Sequence, residues 1–110
     1  MYETAGNRPN WHYTELGEIP GPHFDHFICY DHQRFRRGRG AGEISDLLKA
    51  GLIQAGVSPD CIDTAQGYID ATKQLSQVVG KNDLVVILTG NAYEYLPVFR
   101  ENFSMHMIRE

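Results

Sequence analysis

Residues 25–55 read DHFICYDHQRFRRGRGAGEISDLLKAGLIQA. The apolar run from Phe27 to Tyr30 is followed by a loop rich in arginine and glycine, and apolar residues then recur at helical spacing from Glu43 onward. This order predicts a strand, a basic loop and a helix. In open α/β sheets, ligands bind at the carboxyl ends of the strands, where such loops gather. The loop is therefore the first candidate for a binding site.

The remaining segments continue this alternation of strands and helices. The sequence predicts helices over residues 10–19, 63–79 and 92–103, and strands over residues 2–5, 24–30 and 84–88. The last strand, LVVIL, is apolar at every position, which is typical of a parallel strand covered on both faces, so we expect it at the centre of the sheet. The expected fold is α/β: one three-layer, Rossmann-like domain over residues 1–110, with a mostly parallel sheet and helices on both faces.

Composition narrows the classes of function. The chain has 110 residues, of which 42% are hydrophobic, and a formal net charge of -4. This charge argues against a general nucleic-acid binder, so the arginines of the loop form a local cluster with a local partner. Cys29 and Cys61 lie in apolar surroundings without a CxxC spacing and are expected to be buried, reduced thiols. With no signal-peptide pattern and no apolar run near about 18 residues, the sequence predicts a cytoplasmic protein without a membrane partner.

The arginine loop has the chemistry of an anion site, although it lacks the established phosphate motifs. Gly80-Lys81 is followed by Asn82 where a P-loop needs Ser or Thr, and Glu43 stands where a dinucleotide fingerprint needs its third glycine. Glycines nevertheless let the backbone approach an anion, and arginines donate bidentate hydrogen bonds to it. A phosphate-bearing or acidic partner is expected, and a solvated arginine-rich loop is the alternative.

Other chemistry-bearing residues allow weaker interpretations. A small metal-dependent hydrolase could use His23, His26 and His32 with Asp25 and Asp31, but residues three apart on a strand point to opposite faces, which favours surface histidines. Four aromatic residues near predicted loops could stack on a base or simply pack at helix starts. They are Trp11, Tyr13, Tyr93 and Tyr95. No single serine or cysteine stands out as an activated nucleophile.

A resemblance to a known family is carried by three stretches in order, AGNRPNWHYTELGEI, FDHFICYDHQRFRRGRGAGEISDLLKAGL and KNDLVVILTG. They correspond to a Gly-Asp-Arg type turn after a strand, an Arg-Gly-Arg element before Gly-Glu-Ile, and a late Gly-Asp-Leu-Val-Val strand. On these motifs, the chain resembles the C-terminal domain of Mur-type ligases, most closely that of cyanophycin synthetases. The match covers nearly the whole chain.

The resemblance implies an ADP-forming carboxylate–amine ligase of amino-acid polymer biosynthesis. In such enzymes ATP phosphorylates a carboxyl group, and an amine then attacks the acyl phosphate. A central domain carries the P-loop and binds ATP and Mg²⁺, while the C-terminal domain closes over it. The implied partners are that ATPase domain of the same polypeptide and the amino-acid substrate, with a homo-oligomer in the full-length protein. This chain alone is expected to hold no cofactor and to be inactive.

The resemblance also implies which residues would form the site. Asn7 and Arg8 would face ATP, although Asn7 stands where the family usually has Asp. The closing face would be lined by Asp31, His32, Arg37 and Arg39. No catalytic residue and no metal ligand is assigned. The alternative is a free-standing, non-catalytic module that uses the same loop to hold a nucleotide, a phosphorylated ligand or an acidic partner.

Overall fold

The computed structural model describes residues 1, 9–31, 38–88 and 92–103. The helices are α1 (Asn10–Glu18), α2 (Glu43–Gln54), α3 (Tyr68–Val78) and α4 (Ala92–Asn102), and the strands are β1 (Phe27–Tyr30) and β2 (Ile62–Ala65). Short 3-10 turns precede the two strands, at Gly21–His23 and Pro59–Cys61. β1 and β2 are parallel neighbours, with Phe27 opposite Ile62 and Tyr30 opposite Ala65. The described part of the chain is thus a compact α/β fold around a small parallel sheet.

Helices cover both faces of β1, because successive strand side chains point to opposite sides. Phe27 and Cys29 pack against α1 and α2, in a cluster completed by Tyr13, Ile44, Leu48, Leu52 and Ile62. Ile28 and Tyr30 pack against α3 and α4, in a cluster completed by Met1, Ala65, Ala71, Leu75, Tyr95 and Phe99. Every β1 side chain is buried, and Phe27 and Ile28 each contribute on the order of 1.5–3 kcal/mol through burial. The packing fixes β1 as the centre of the described fold.

The helix predicted after the arginine loop is confirmed. Ile44, Leu48 and Gly51 of α2 are buried along one stripe. The residue before the helix is Gly42, with φ 81°, and the chain leaves it through Gly56, with φ 97°. Glycine adopts this left-handed backbone at little cost, so the two glycines mark where the helix begins and ends.

The predicted helix over residues 63–79 is wrong at its start. The chain up to Ala65 forms β2, and α3 begins only at Tyr68. Ile62 and Ala65 are both buried beside β1, which outweighs the local capping pattern of the sequence. Gly67 then takes φ 106°, a conformation that separates the strand from the helix.

The apolar stretch over residues 84–88 pairs with the beginning of the described chain. The amino group of Met1 donates a hydrogen bond to the Val86 carbonyl oxygen at 3.1 Å. The Leu88 N–H donates to the Met1 carbonyl oxygen at 3.2 Å. In a parallel pair, one residue bonds through its N–H and its C=O to the two residues that flank its partner on the other strand. Met1 therefore lies beside this stretch as a parallel neighbour.

The prediction that both faces of this stretch are covered is wrong. Val85 and Ile87 pack against the cluster of α3 and α4. Leu84 is 85% exposed, and Val86 and Leu88 are also exposed. The stretch therefore has one covered face and one open apolar face among the described residues, so the all-apolar pattern did not reveal its position in the fold.

α1 and α2 cross in direct backbone contact. A Cβ atom added at Gly17 would lie 2.4 Å from the backbone carbonyl carbon of Gly51. A Cβ atom added at Gly51 would lie 2.8 Å from the carbonyl oxygen of Thr14. Only glycine allows this approach, which joins the second half of α1 to the last turns of α2.

Both cysteines are free, as the sequence predicts; Cys29 is buried as expected, whereas Cys61 is partly exposed. Among the helices of the described ranges, none has the length and apolar content needed to cross a membrane.

Candidate functional site

The loops that follow the two parallel strands meet at one end of the sheet. We call this end, made of Asp31, Arg39, Gly42 and Gly67, the carboxyl edge. A Cβ atom added at Gly67, in the loop after β2, would lie 3.9 Å from the Asp31 carbonyl oxygen. In parallel sheets this is the end at which ligands bind, and it is the end of β1 that precedes the predicted basic loop.

Asp31 attaches the beginning of α2 to the end of β1. Its side chain is fully buried, and its Oδ2 atom accepts a hydrogen bond of 3.0 Å from the Gly42 N–H. The Ser45 hydroxyl donates to the Gly42 carbonyl oxygen at 3.0 Å, so side chains hold both backbone polar groups of this residue. A hydrogen bond to a charged group contributes about 1.5–3 kcal/mol. Asp31 therefore positions the loop backbone at the helix N-terminus.

Arg39 lies between the beginnings of α1 and α2. Its Nη1 atom donates a 2.7 Å hydrogen bond to Glu43 Oε2, and its guanidinium carbon lies 4.9 Å from the centroid of the Tyr13 ring. The hydrogen bond with Glu43 raises the pKa of the Arg39 guanidinium above its usual value, so the group stays charged. The ion pair and the cation–π contact restrict the side chain to this position.

The beginnings of α3 and α4 also lie at the carboxyl edge. Tyr68 is the first residue of α3 and Tyr95 lies in the first turn of α4; their ring centroids are 4.8 Å apart. The Tyr95 ring is also 6.0 Å from that of Tyr30, the last residue of β1. Helix N-termini carry partial positive charge and free N–H groups. Their convergence at this edge favours an anionic ligand.

Acidic residues in the first helical turns moderate this positive potential. Glu43 is paired with Arg39, and Asp70 accepts hydrogen bonds from the Gln66 N–H at 3.2 Å and from Gln74 Nε2 at 3.3 Å. Carboxylates at these positions stabilise the helices. The net attraction for an anion therefore depends on the arginines.

Two of the six residues predicted for the site are described by the structure, namely Asp31 and Arg39. Both lie at the carboxyl edge. Asn7, Arg8, His32 and Arg37 lie outside the described residues, as do Arg34 and Arg36. Asp31 was expected to line the closing face; in the structure its carboxylate is buried and bonded to the loop backbone. Its geometry supports a positioning role.

The four aromatic candidates divide into two groups. Tyr13 and Tyr95 are buried in the two core clusters, so their rings pack inside the domain. Trp11 and Tyr93, 62% and 89% exposed, lie in the first turns of α1 and α4. These two are the residues that could stack on a base at the carboxyl edge.

Sequence reasoning missed three residues that shape this edge. Glu43 could have been identified as the partner of Arg39 from its spacing of four residues. Tyr30 and Tyr68 carried no comparable signal, because their contact with α4 depends on how distant segments pack.

His23 and His26 lie at the opposite end of the strands from the carboxyl edge. The Nε2 atom of His26 is 2.8 Å from Asp63 Oδ2, at the amino end of the strands. His23 lies in the 3-10 turn before β1, and His32 is outside the described residues. In the ranges that the structure describes, no three His, Cys, Asp or Glu side chains come together as a metal-binding group.

The carboxyl edge can bind and orient an anion. It offers helix N-termini, a fixed guanidinium group and glycines with little steric bulk at Gly38 and Gly42, where an added Cβ would meet no atom within 4 Å. These groups attract phosphate oxygens without forming a covalent bond.

The chain matches no protein-family model, no curated protein and no solved structure.

Proposed function

We propose that this chain is the C-terminal lid domain of an ATP-dependent, ADP-forming carboxylate–amine ligase resembling cyanophycin synthetase. Its carboxyl edge closes over ATP and the incoming amino acid. The observation that carries the proposal is the 3.0 Å hydrogen bond from the Gly42 N–H to the buried Asp31 carboxylate. This bond holds the N-terminus of α2, with Arg39 beside it, at the end of a parallel strand.

The reaction chemistry supports a basic edge of this kind. An acyl phosphate and the transition states leading to and from it are rich in negative charge, which preorganised arginines and backbone N–H groups stabilise. Such groups act on a substrate held by another domain only after a closing motion. The central ATPase domain would hold ATP and Mg²⁺, because this sequence carries no P-loop. Arg39 and the α2 N-terminus fit phosphate oxygens.

The proposed domain has a larger sheet than the one that β1 and β2 form. The parallel pairing of β1 with β2, and the helices on both faces, are compatible with a three-layer, Rossmann-like domain. In that fold the stretch over residues 84–88 and the segment at Met1 would extend the sheet. A cytoplasmic location and assembly into homo-oligomers belong to the same proposal.

A free-standing binding module is the second candidate. It is favoured by the fact that Glu43 and Tyr13 already hold Arg39 in place without a second domain. The two candidates differ in affinity, because a lid alone provides only part of the contacts to the ligand. A lid should bind ATP with a Kd of about 1 mM, whereas a complete module should reach about 1 μM.

The proposal can be tested by titrating the isotope-labelled chain with ATP, pyrophosphate and adenosine while recording backbone amide NMR spectra. We expect ATP and pyrophosphate to shift the amides of residues 38–44, and adenosine to leave them unchanged. Arg39→Ala should raise the Kd obtained from these shifts about tenfold, which is a loss of about 1.4 kcal/mol in binding free energy. Lys81→Ala is the matched control, because it removes one exposed charge from a turn distant in sequence from the carboxyl edge. Shifts that Arg39→Ala leaves intact would contradict the proposal.

A further inference from the structure

Arg39 has an anionic partner that belongs to the chain itself. Its Nη1 atom donates a 2.7 Å hydrogen bond to Oε2 of Glu43, which is the first residue of α2. Helical side chains tilt toward the N-terminus of their helix, so this carboxylate lies at the end of α2 that meets the arginine loop. A carboxylate oxygen therefore occupies a guanidinium N–H that the proposed function assigns to a phosphate oxygen.

The backbone N–H groups at the beginning of α2 do not substitute for this donor. The Gly42 N–H is bonded to Asp31 Oδ2 at 3.0 Å, and the Glu43 N–H is bonded to the Gly40 carbonyl oxygen at 3.2 Å. Of the four residues that define the carboxyl edge, Arg39 is the cation. The affinity of this edge for an anion therefore depends on what competes for the guanidinium group.

The two partners of Arg39 differ in how firmly they are held. The Tyr13 ring is fully buried and lies 4.9 Å from the guanidinium carbon, so it keeps its place beside the guanidinium. The Glu43 side chain is 46% exposed and can turn into water. Ion pairs between exposed side chains are weak, whereas an arginine–phosphate pair is bidentate. Tyr13 thus restrains Arg39, while Glu43 can be exchanged for a ligand.

We propose that Glu43 is an internal competitor of the phosphoryl group. Its carboxylate binds Arg39 in the ligand-free chain and is displaced when a phosphate oxygen binds there, because two anions that share one guanidinium group repel each other. This inference rests on the proposed function and adds a residue that sets the affinity of the same site.

The competition favours highly charged ligands. Because Glu43 is part of the same chain, its carboxylate competes at an effective concentration on the order of 1 mM or more. A free monocarboxylate carries the same charge as Glu43 and gains nothing by replacing it. A pyrophosphate group brings more charge, and the Coulomb energy with Arg39 grows in proportion to that charge. Polyphosphates are therefore the class of anion that displaces Glu43.

The opposite role for Glu43 would be to hold Arg39 ready for the ligand. The two roles predict changes of opposite sign in Glu43→Gln, which keeps the size of the side chain and removes its charge. An internal competitor predicts that the Kd for inorganic pyrophosphate falls about threefold, as expected for loss of an exposed ion pair. A residue that holds Arg39 ready predicts that the Kd rises.

The experiment titrates four isotope-labelled chains with inorganic pyrophosphate and records backbone amide NMR spectra. The chains are the wild type, Glu43→Gln, Arg39→Ala and the double variant. We expect the gain from Glu43→Gln to disappear when Arg39 is alanine, because no guanidinium group is left to compete for. Asp46→Asn is the matched control: it removes the same charge from an exposed position in the same helical turn and should change the Kd less.

A second measurement detects the displacement itself. The carboxyl carbon of Glu43 has a chemical shift that depends on its pairing with Arg39. Adding pyrophosphate to the wild-type chain should move this signal to the position that it has in ligand-free Arg39→Ala, where the pair is absent. A merely structural role of Glu43 would not move it.

Three outcomes would overturn the inference alone. They are a Kd that is unchanged or raised in Glu43→Gln, a gain that persists with Arg39→Ala or is matched by Asp46→Asn, and a Glu43 signal that stays in place while pyrophosphate binds. Each of them leaves binding through Arg39, and with it the proposed function, intact. Failure of pyrophosphate to bind any of the chains would instead overturn the proposed function together with this inference.

Discussion

Asp31 connects the end of β1 to the beginning of α2 through a single buried carboxylate. Replacing it by alanine leaves the Gly42 N–H without this acceptor and opens space in a buried position. We expect Asp31→Ala to lower the free energy of unfolding by about 2–3 kcal/mol. Asp31→Asn keeps an acceptor oxygen and should lose less. Urea denaturation of the three proteins measures the difference, and an alanine variant as stable as the wild type would show that the bond is unimportant.

The free amino group of Met1 provides a prediction for pH. Burial lowers its pKa in the folded chain below 8.0, so between the folded pKa and 8.0 the unfolded chain binds more protons than the folded one. The free energy of unfolding should therefore rise with pH through that window and become constant above it. An amino-terminally acetylated chain has no such group and serves as the control.

The relevant quantity is the difference in unfolding free energy between the free and acetylated chains, measured from about pH 6 to 9. It should be largest at the low end of this range and should shrink as the pH rises. A difference that grows with rising pH would mean that the amino group is stabilised in its charged form, which would contradict burial as the main influence on its pKa.

At the scale of elements, the crossing of α1 and α2 depends on Gly17 and Gly51. Alanine favours a helix by about 1 kcal/mol over glycine, whereas overpacking costs about 1–3 kcal/mol. The clash is with backbone atoms, which no side-chain rotation can relieve, so the cost should prevail. We expect Gly17→Ala and Gly51→Ala each to lower the thermal midpoint of unfolding.

Gly40→Ala is the matched control for this prediction, because a Cβ atom at Gly40 would meet no atom within 4 Å. Its effect should stay within about 0.5 kcal/mol. If Gly51→Ala were as stable as Gly40→Ala, the two helices would not be in backbone contact.

The same elements show what the sequence could reveal. α2 was predictable because its apolar stripe agrees with glycines at both ends. β2 was not, because Asp63 and Gln66 imitate a helix cap, and only the burial of Ile62 and Ala65 beside β1 identifies a strand. Contacts between residues distant in sequence decide which element such a local pattern forms.

The whole molecule has two ends with different chemistry. The carboxyl edge gathers helix N-termini and Arg39, whereas the groove at the amino end of β1, lined mainly by residues 23–28 and 83–88, is largely apolar. From the sequence, the position of the basic loop after β1 was predictable. The burial of Asp31 and the stacking of Arg39 on Tyr13 were not, because both depend on how separate elements pack together.

The most direct test of the central claim measures ATP binding and ATP hydrolysis by this chain, comparing wild type with the Arg37→Ala/Arg39→Ala double variant. Lys73→Ala/Lys81→Ala is the control, because it removes the same charge from exposed positions outside the arginine loop. A lid domain should show no turnover and a Kd of about 1 mM for ATP, weakened at least tenfold in the arginine variant and preserved in the control. Steady ATP turnover by the wild-type chain, or binding indifferent to the arginines, would contradict the account.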